Sequence, residues 1–515
     1  MPDKNTFIES ITSGYRFKGE SFAIGTAMLN GEVLHQAIVH LPLQTMNRHG
    51  LIAGATGTGK TKTLQVLAEG LSDASVPVLL MDIKGDLSGI AQPGVLNDKI
   101  KERYTKMLMD YEPKPYPVEL MSLSNEPGVR LRATVSEFGP ILISKILGLN
   151  DTQQGLVAMI FKYCDDQKIP LVDLKDFTKM LQYIGNEGKA DIEKEYGKIS
   201  TTSTGTILRK VIELQQQGAE VFFGEPSFEV DDLMRISDDG GGMVNILRVT
   251  DMQNRPKLFS TFMLQLLAEL YAALPEAGDL DKPKLVLFID EAHLVFQEAT
   301  AALLQQIEMV IKLIRSKGVG IFFCTQNPQD IPAPVLSQLG LKIQHALRAF
   351  TAVDRKTIKQ AAENYPETEY YTVNELITEL GIGEALITLL NEKGIPTPLV
   401  HTMLTAPRSR MDVLTDTEIT SLTAKSKLAK KYEQSIDNES AYEIVSGKLA
   451  EAEKNSTEKA VNSPAKSEPS TLDQILNNPA ARQMQRTAAS IITRSLLGAL
   501  GLGGRRSSKK RTSWF

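Results

Sequence analysis

Short apolar runs alternate with glycines between residues 20 and 45, a pattern that predicts a small β-hairpin unit. A further strand then leads into a glycine-rich loop. After the loop come a helix from Lys62 to about Leu71 and a second buried strand, Val76–Asp82. Parallel strands need a covering crossover between them. This strand–loop–helix–strand order therefore predicts the start of a parallel α/β domain.

The spacing of apolar positions changes to a helical period at about residues 134–218, where strand-like runs disappear. This stretch predicts an all-helical insertion. Beyond it, long helices alternate with further strands of the same sheet. The predicted helices are Leu258–Leu274 and about Thr300–Lys317, and the predicted strands are Met243–Val249, Lys284–Asp290, Val319–Thr325, Lys342–Phe350 and Ala385–Leu390. The predicted fold class is α/β with a mainly parallel sheet.

Changes in composition divide the chain into consecutive segments. Beyond Arg410 the chain becomes polar and helical, and it then loses apolar side chains, which is typical of a linker. The predicted segments are a small N-terminal β unit at 1–45, an α/β core at 46–410, a C-terminal helical segment at 411–450, a disordered linker at 451–478 and a basic amphipathic tail at 479–515.

Composition narrows the class of protein. The chain has 515 residues, 42% of them hydrophobic and 23% charged, which is typical of a soluble protein with several structural units. No apolar run reaches the roughly 18 residues that span a bilayer, and the first residues lack a secretory pattern. Cys164 and Cys324 are too few for a disulfide framework. We therefore predict a cytoplasmic protein. Its net charge of −5 argues against a protein whose entire surface binds nucleic acid.

The glycine-rich loop carries the strongest chemical signal. Residues 54–61, GATGTGKT, fit the pattern G-x-x-x-x-G-K-[ST] that cradles phosphates with backbone N–H groups. In this pattern Lys60 brings a positive charge to the β- and γ-phosphates, and the Thr61 hydroxyl ligates Mg²⁺. The predicted ligands are ATP and Mg²⁺. The predicted nucleotide-binding residues are Gly54, Ala55, Thr56, Gly57, Thr58, Gly59, Lys60, Thr61 and Lys62.

A buried strand that ends in two acids provides the second signal, LVLFIDE at residues 285–291. Ligands of open α/β sheets bind at the carboxyl ends of the strands. Asp290 is placed to hold Mg²⁺ with Thr61, and Glu291 to polarise the attacking water. A small-molecule kinase does not need Glu291, because its nucleophile is a substrate oxygen. The pair therefore favours a hydrolase.

Two other strand ends carry polar side chains. Gln326 follows the apolar strand at 319–325 and is a candidate to sense the γ-phosphate or orient water, the alternative being a polar strand cap. Asp82 and Asp86 follow the second strand and either support the Mg²⁺ shell or make a turn.

Three arginines are candidates for a finger that stabilises charge on the γ-phosphate: Arg315, Arg348 and Arg355. The alternative for each is a surface or ion-pair arginine. His293 and His345 have no partner at metal-ligand spacing, so both are interpreted as structural.

Together these motifs resemble the HerA/FtsK superfamily of hexameric DNA-pumping ATPases, and most closely its YjgR-like group. The resembling segments are RHGLIAGATGTGKT at 48–61, LMDIKGD at 80–86, LFIDEAH at 287–293, IRSKG at 314–318, FFCTQNPQDIP at 322–332 and QLGLKIQHALRAF at 338–350. The resemblance implies a RecA-like P-loop core and a homo-hexamer whose sites are completed by the neighbouring subunit.

The resemblance also implies roles for five residues. Lys60 binds phosphate, Thr61 and Asp290 bind the metal, Glu291 acts as the base and Gln326 acts as the sensor. Two departures from the family pattern stand out. Residues 1–45 are too few for the fuller N-terminal β-barrel of HerA helicases, and no DNA-reading domain of the FtsK kind follows the core.

Two functions remain open at this point. The favoured one is a ring-shaped, ATP-driven DNA translocase or helicase. The alternative is a switch or scaffold ATPase that acts on a protein or membrane partner without moving DNA.

The tail has its own alternatives. From Gln474 to Phe515 it carries eight Arg or Lys and no acid. The three alternatives are that the tail binds nucleic-acid phosphates, that it lies on an anionic membrane surface, and that it only solubilises the chain.

Overall fold

The computed structural model describes residues 3–124, 126–252, 255–278, 280–297, 301–433 and 439–459. Its strands are β1 Ser21–Leu29, β2 Glu32–Pro42, β3 Gly50–Ala53, β4 Val78–Asp82, β5 Val118–Ser122, β6 Val129–Arg130, β7 Val244–Arg248, β8 Leu285–Ile289, β9 Val319–Thr325, β10 Leu341–Gln344, β11 Glu384–Thr388 and β12 Val400–Leu404.

Its helices are α1 Lys4–Gly14, α2 Lys60–Asp73, α3 Asp98–Met107, α4 Val135–Ile146, α5 Asp151–Asp166, α6 Leu174–Gly185, α7 Lys189–Tyr196, α8 Thr201–Gln216, α9 Val230–Leu233, α10 Pro256–Ala273, α11 His293–Phe296, α12 Ala301–Ile314, α13 Ala333–Leu336, α14 Ala352–Ala362, α15 Val373–Glu379, α16 Asp416–Lys425, α17 Lys427–Glu433 and α18 Ala441–Lys459.

All these strands join one 12-stranded sheet in the order β2-β1-β12-β11-β10-β3-β9-β8-β4-β7-β5-β6. Every pair from β10 to β6 is parallel, and every pair from β2 to β10 is antiparallel. The predicted α/β class with a mainly parallel sheet is confirmed. The N-terminal hairpin of β1 and β2 pairs with β12 and so extends this same sheet. It is preceded by α1, a helix that the apolar pattern does not predict.

The sheet is covered on both faces, because alternate side chains of the central strands enter two different cores. In β4, Leu79 and Met81 face one core together with the helical residues Phe259 and Ile307. Val78 and Leu80 face the other core, which α2 covers. Strands buried on both faces are continuously apolar, as in parallel sheets generally. Burial on both faces also gives the strand before Asp290 the continuous apolar run by which it is predicted from the sequence.

Helices α4 to α8 fill residues 135–216, where the structure has no described strand. Three of them begin at capping boxes, in which a polar side chain and the residue three positions later satisfy each other's backbone N–H groups. The capping residues are Thr134, Asn150 and Asp173. The local sequence thus fixes where these helices start. The stretch from 134 to 218 retains the helical character predicted for it.

The chain leaves the sheet earlier than the apolar pattern predicts at one strand. The prediction of a strand over Lys342–Phe350 is wrong beyond Gln344, where β10 ends. Ala346 and Leu347 are buried, but they enter a separate small core with α14 and α15, and the Leu347 N–H donates to the Ile377 carbonyl. Burial there reflects helix packing and not strand pairing.

Side-chain hydrogen bonds connect the C-terminal helices to α9 and α6. On α17, the Tyr432 hydroxyl donates to Asp232 and accepts the Glu229 N–H. Before α18, the Ser440 hydroxyl donates to Asp176 on α6. Helix α18 runs through 451–459, into the predicted linker, because Ala, Glu and Lys are good helix formers. The rest of the linker and the tail at 479–515 lie outside the described residues. Within the described part, no helix is long and apolar enough to cross a membrane.

A buried histidine makes the stability of this fold depend on pH. His49 Nδ1 accepts the Ile321 N–H at 3.0 Å, so its proton sits on Nε2, which donates to the Ile311 carbonyl at 2.9 Å. Burial lowers the pKa of His49 to about 4. An unfolded histidine titrates at about 6.5. Between these values the unfolded chain binds a proton that the folded chain does not, so the free energy of unfolding falls as pH falls.

Because of His49, we expect the free energy of unfolding to be about 2 kcal/mol lower at about pH 5 than at about pH 7.5, and to change little through this group above about pH 7.5. The measurement is the urea midpoint at about pH 7.5 and about pH 5. His49→Gln should shrink the difference between the two midpoints, whereas His35→Gln, at an exposed position, should leave it unchanged. Equal differences in all three proteins would contradict this role for His49.

Candidate nucleotide-binding site

At three positions of the loop between β3 and α2, the backbone has a positive φ that only glycine adopts readily. Gly54, Gly57 and Gly59 have φ values of 155°, 77° and 112°. A Cβ at Gly54 would also lie 2.5 Å from the Cβ of His345. The loop leads into α2, and no side chain accepts a hydrogen bond from the N–H groups at the start of this helix. Unpaired N–H groups at such a helix start, together with the helix dipole, form an anion-binding cradle.

Lys60, the first residue of α2, folds back over this loop. Its Nζ donates to the Ala55 carbonyl at 3.1 Å, and the side chain is buried. Burial lowers the pKa of Lys60, and the charges of Glu291 and Asp290 oppose that shift. Thr61 follows it and is partly exposed. The structure therefore brings together the predicted phosphate and metal residues of the loop.

Lys62 is placed differently from its prediction as a nucleotide contact. Its Nζ donates to the Met411 carbonyl at 2.6 Å and lies near the charges of Asp86 and Asp412. Its ammonium is thereby engaged by the chain after β12. What remains at the cradle is the Lys62 backbone N–H in the first turn of α2.

Residues outside the glycine motif support the loop from beneath. The His345 Nε2 and the Thr63 hydroxyl are 2.9 Å apart, and the Gly383 N–H donates to the Thr58 carbonyl at 3.0 Å. Arg103 fixes that same turn by donating to the carbonyls of Ile382 and Gly383. Burial lowers the pKa of His345 to about 4, so its ring is neutral. The interpretation of His345 as structural agrees with this placement, but no local signal marks it as a loop support.

Asp290 lies at the end of β8, level with the ends of β4 and β9. Its side chain is buried, and neither carboxylate oxygen accepts a hydrogen bond of ordinary geometry from a described residue. The Cys324 thiol, a weak donor, lies beside it. Burial raises the pKa of Asp290, and the charge of Lys84 opposes that shift. A buried carboxylate that accepts no hydrogen bond of ordinary geometry from the described residues, beside a phosphate cradle, fits a Mg²⁺ site, because Mg²⁺ prefers oxygen ligands.

Glu291 follows with an unusual backbone. Its φ of 44° lies in the left-handed region, which costs free energy for a residue other than glycine. Its buried carboxylate forms an ion pair with Lys84 and lies 3.3 Å from His293 Nδ1. Such strain is found at functional sites, where the surrounding structure holds the residue in place.

Gln326 and Asp82 lie at the ends of β9 and β4, the two strands that flank β8, on the same edge of the sheet. Gln326 is exposed directly after β9. Asp82 accepts the N–H groups of Gly85, Asp86 and Leu87 at 2.7, 3.1 and 3.1 Å, so it makes the turn after β4. Burial raises the pKa of Asp82 to about 6. Of the two interpretations of this acid, the structure favours the turn.

The candidate arginines fall on opposite edges of the sheet. Arg348 is exposed shortly after β10, on the edge of the phosphate loop, and donates to the Thr378 and Leu380 carbonyls. Arg315 precedes β9 and lies near His49, on the far edge, so it cannot act at the site of its own chain. Arg355 is exposed on α14.

The model of the family described as "Helicase HerA-like C-terminal" matches residues 28–507. The chain belongs to this family. Similar curated proteins include the DNA double-strand break repair helicase HerA of Sulfurisphaera tokodaii, 23% identical over 376 residues that cover 71% of this chain and 67% of that protein. HerA of Sulfolobus acidocaldarius is 20% identical over 382 residues, with the same coverage. The predicted resemblance to the HerA/FtsK superfamily is confirmed, and this HerA-like chain is a P-loop ATPase.

Solved structures similar to this chain include a conjugative coupling protein and VirB4. The bacterial conjugative coupling protein TrwBdeltaN70 is 14% identical, with a TM-score of 0.49, and the match covers 79% of this HerA-like chain and 94% of that chain. VirB4 of Thermoanaerobacter pseudethanolicus is 15% identical, with a TM-score of 0.48 and coverages of 76% and 97%.

Replacing Lys60 tests the cradle. We expect Lys60→Ala to weaken Mg·ATPγS binding by about 10- to 100-fold, because it removes one charge-assisted contact with the phosphates. Calorimetric titration measures this, and EDTA should weaken binding by the wild type. The matched control is Lys106→Ala, which removes an exposed lysine paired with Glu102. Unchanged affinity in Lys60→Ala would contradict the assignment of the site.

Proposed function

We propose that this HerA-like ATPase is a ring-shaped motor that uses hydrolysis of Mg·ATP to move along DNA in the cytoplasm. The observation that carries the hydrolytic part is the pair Asp290–Glu291, two buried carboxylates of which only Glu291 has a described ion-pair partner, Lys84. DNA enters the proposal through the HerA relatives, which are described as DNA repair helicases.

The residues of the site divide the work of hydrolysis in this proposal. Lys60 and the N–H groups of the loop bind the β- and γ-phosphates, and Thr61 and Asp290 hold Mg²⁺. When bound, Mg²⁺ neutralises charge on the phosphates. Glu291 accepts a proton from water as the water oxygen attacks the γ-phosphorus. The bond from that phosphorus to the β–γ bridging oxygen then breaks, and the electron pair stays with ADP. Gln326, which is exposed directly after β9, orients the water.

The ring is proposed because the site holds no described arginine of its own that contacts the loop. Arg348 lies on the correct edge and is exposed. Two apolar side chains close to it in sequence are also exposed, Phe350 at 86% and Val353 at 73%. Large apolar side chains left in water mark interaction surfaces. A second copy of this chain, in a homo-hexamer, would cover them and receive Arg348 at its own nucleotide.

Replacing Glu291 tests the motor. Glu291→Gln should keep Mg·ATP binding and lower turnover by about 100-fold or more, because metal ligation survives while proton acceptance does not. Wild-type turnover should rise on addition of single- or double-stranded DNA, and displacement of a DNA-bound roadblock should require wild-type Glu291. Loss of binding together with turnover would make Glu291 structural. Robust turnover that DNA does not change would favour the switch or scaffold alternative.

Mixing two inactive variants tests the ring. Subunits with Arg348→Ala keep an intact phosphate loop, and subunits with Lys60→Ala keep the arginine. If Arg348 acts on the neighbour's nucleotide, the mixture should regain part of the activity that each variant lacks alone. Native mass under ATP should show an assembly, expected to be a hexamer. A monomeric mass with no rescue, including in mixtures with Arg315→Ala or Arg355→Ala, would contradict the ring.

A further inference from the structure

Lys84 lies in a turn whose backbone is fixed. The turn follows β4, the strand next to β8, and so faces the end of the strand that carries Asp290 and Glu291. The three N–H groups bound by Asp82 hold it, and Gly85 has a φ of 77° that suits glycine. Only the side chain of Lys84 is then free to adjust.

The ammonium of Lys84 contacts the carboxylate of Glu291 directly. The lysine side chain is 37% exposed and the glutamate side chain 8%. Burial acts to lower the pKa of Lys84, but the bond to Glu291 and the charges of Asp290 and Glu291 outweigh it, so the pKa is raised. Lys84 therefore stays charged and is the cationic partner of a carboxylate that is almost out of contact with water.

The backbone and the ion pair with Lys84 together fix the position of Glu291. Its left-handed backbone is held from the next strand, since the Ala292 N–H donates to the Cys324 carbonyl at 2.9 Å. Its side chain contacts Lys84 and His293 among the described residues. A buried carboxylate that loses its ion-pair partner tends to turn toward water. Such a turn would move a general base away from the water that it has to deprotonate.

We propose that Lys84 is a positioning residue for ATP hydrolysis, which holds the Glu291 carboxylate in place to accept the proton of the attacking water. The inference rests on the proposed role of Glu291 as the base and does not depend on DNA. It differs from the direct phosphate contact that is proposed for Lys60.

The test is a double-mutant cycle on the full-length protein. The variants are Lys84→Gln, Glu291→Gln and the two combined, with Lys84→Arg as the conservative replacement and Lys106→Gln as an exposed ion-pair control. Turnover and KM are measured by phosphate release, residual turnover by single-turnover hydrolysis of labelled ATP, and affinity by titration with Mg·ATPγS.

We expect Lys84→Gln to lower kcat by about 10- to 100-fold, the usual effect of removing a group that orients an active-site ligand. Affinity for Mg·ATPγS should stay within about twofold of the wild type. Lys84→Arg should recover part of the rate, because it restores the charge. Combined with Glu291→Gln, the Lys84 change should cause no further loss, because it acts through Glu291.

Three results would overturn the proposal: an unchanged kcat in Lys84→Gln, an affinity loss that matches the rate loss, or an equal further loss in the double variant. The second would make Lys84 a phosphate ligand instead. Failure of the proposed hydrolysis would appear separately, as absence of turnover in the wild type or full activity in Glu291→Gln.

Discussion

A charge can be buried in a protein only where opposite charge or hydrogen bonds compensate it. The edge of the sheet at the phosphate loop buries two adjacent carboxylates, Asp290 and Glu291, and sets against them two ammonium groups, Lys60 and Lys84. The cluster is balanced in charge. Within it Glu291 forms an ion pair with Lys84 and Lys60 donates to the Ala55 carbonyl, which leaves Asp290 as the member with neither a described ion pair nor a described hydrogen bond of ordinary geometry. The need of that carboxylate for a cation connects the fold to nucleotide chemistry.

The strand order explains why residues so far apart in the chain meet. Strands β3, β9, β8 and β4 are consecutive and parallel, so their carboxyl ends lie at one edge. The loop after β3 gives Lys60, the end of β9 gives Gln326, the end of β8 gives Asp290 and the turn after β4 gives Lys84. The site is therefore a property of the sheet as a whole, and insertion of the helical region between β6 and β7 leaves this edge undisturbed.

The parts of this arrangement that the sequence predicts are those with local signals. A glycine pattern ending in Lys-Thr, and a continuous apolar run ended by two acids, each describe a loop or strand without reference to the rest of the chain. The contact between Lys84 and Glu291 and the position of His345 beneath the loop depend on strand order, which no local pattern contains. The strand predicted over Lys342–Phe350 is too long for a related reason. An apolar run does not show whether its residues pack in a sheet or against helices.

The central claim is that the Asp290 edge of the sheet is a Mg²⁺–nucleotide site. A high-resolution structure of the protein with Mg²⁺, ADP and beryllium fluoride tests it most directly. The account predicts the β-phosphate on the loop at 54–61 and the fluoride group within reach of Lys60. Mg²⁺ should have oxygen ligands at about 2.0–2.1 Å, among them the Thr61 hydroxyl and either Asp290 or a water that Asp290 binds. Nucleotide bound elsewhere, or a bound metal that neither Thr61 nor Asp290 contacts, would contradict the account.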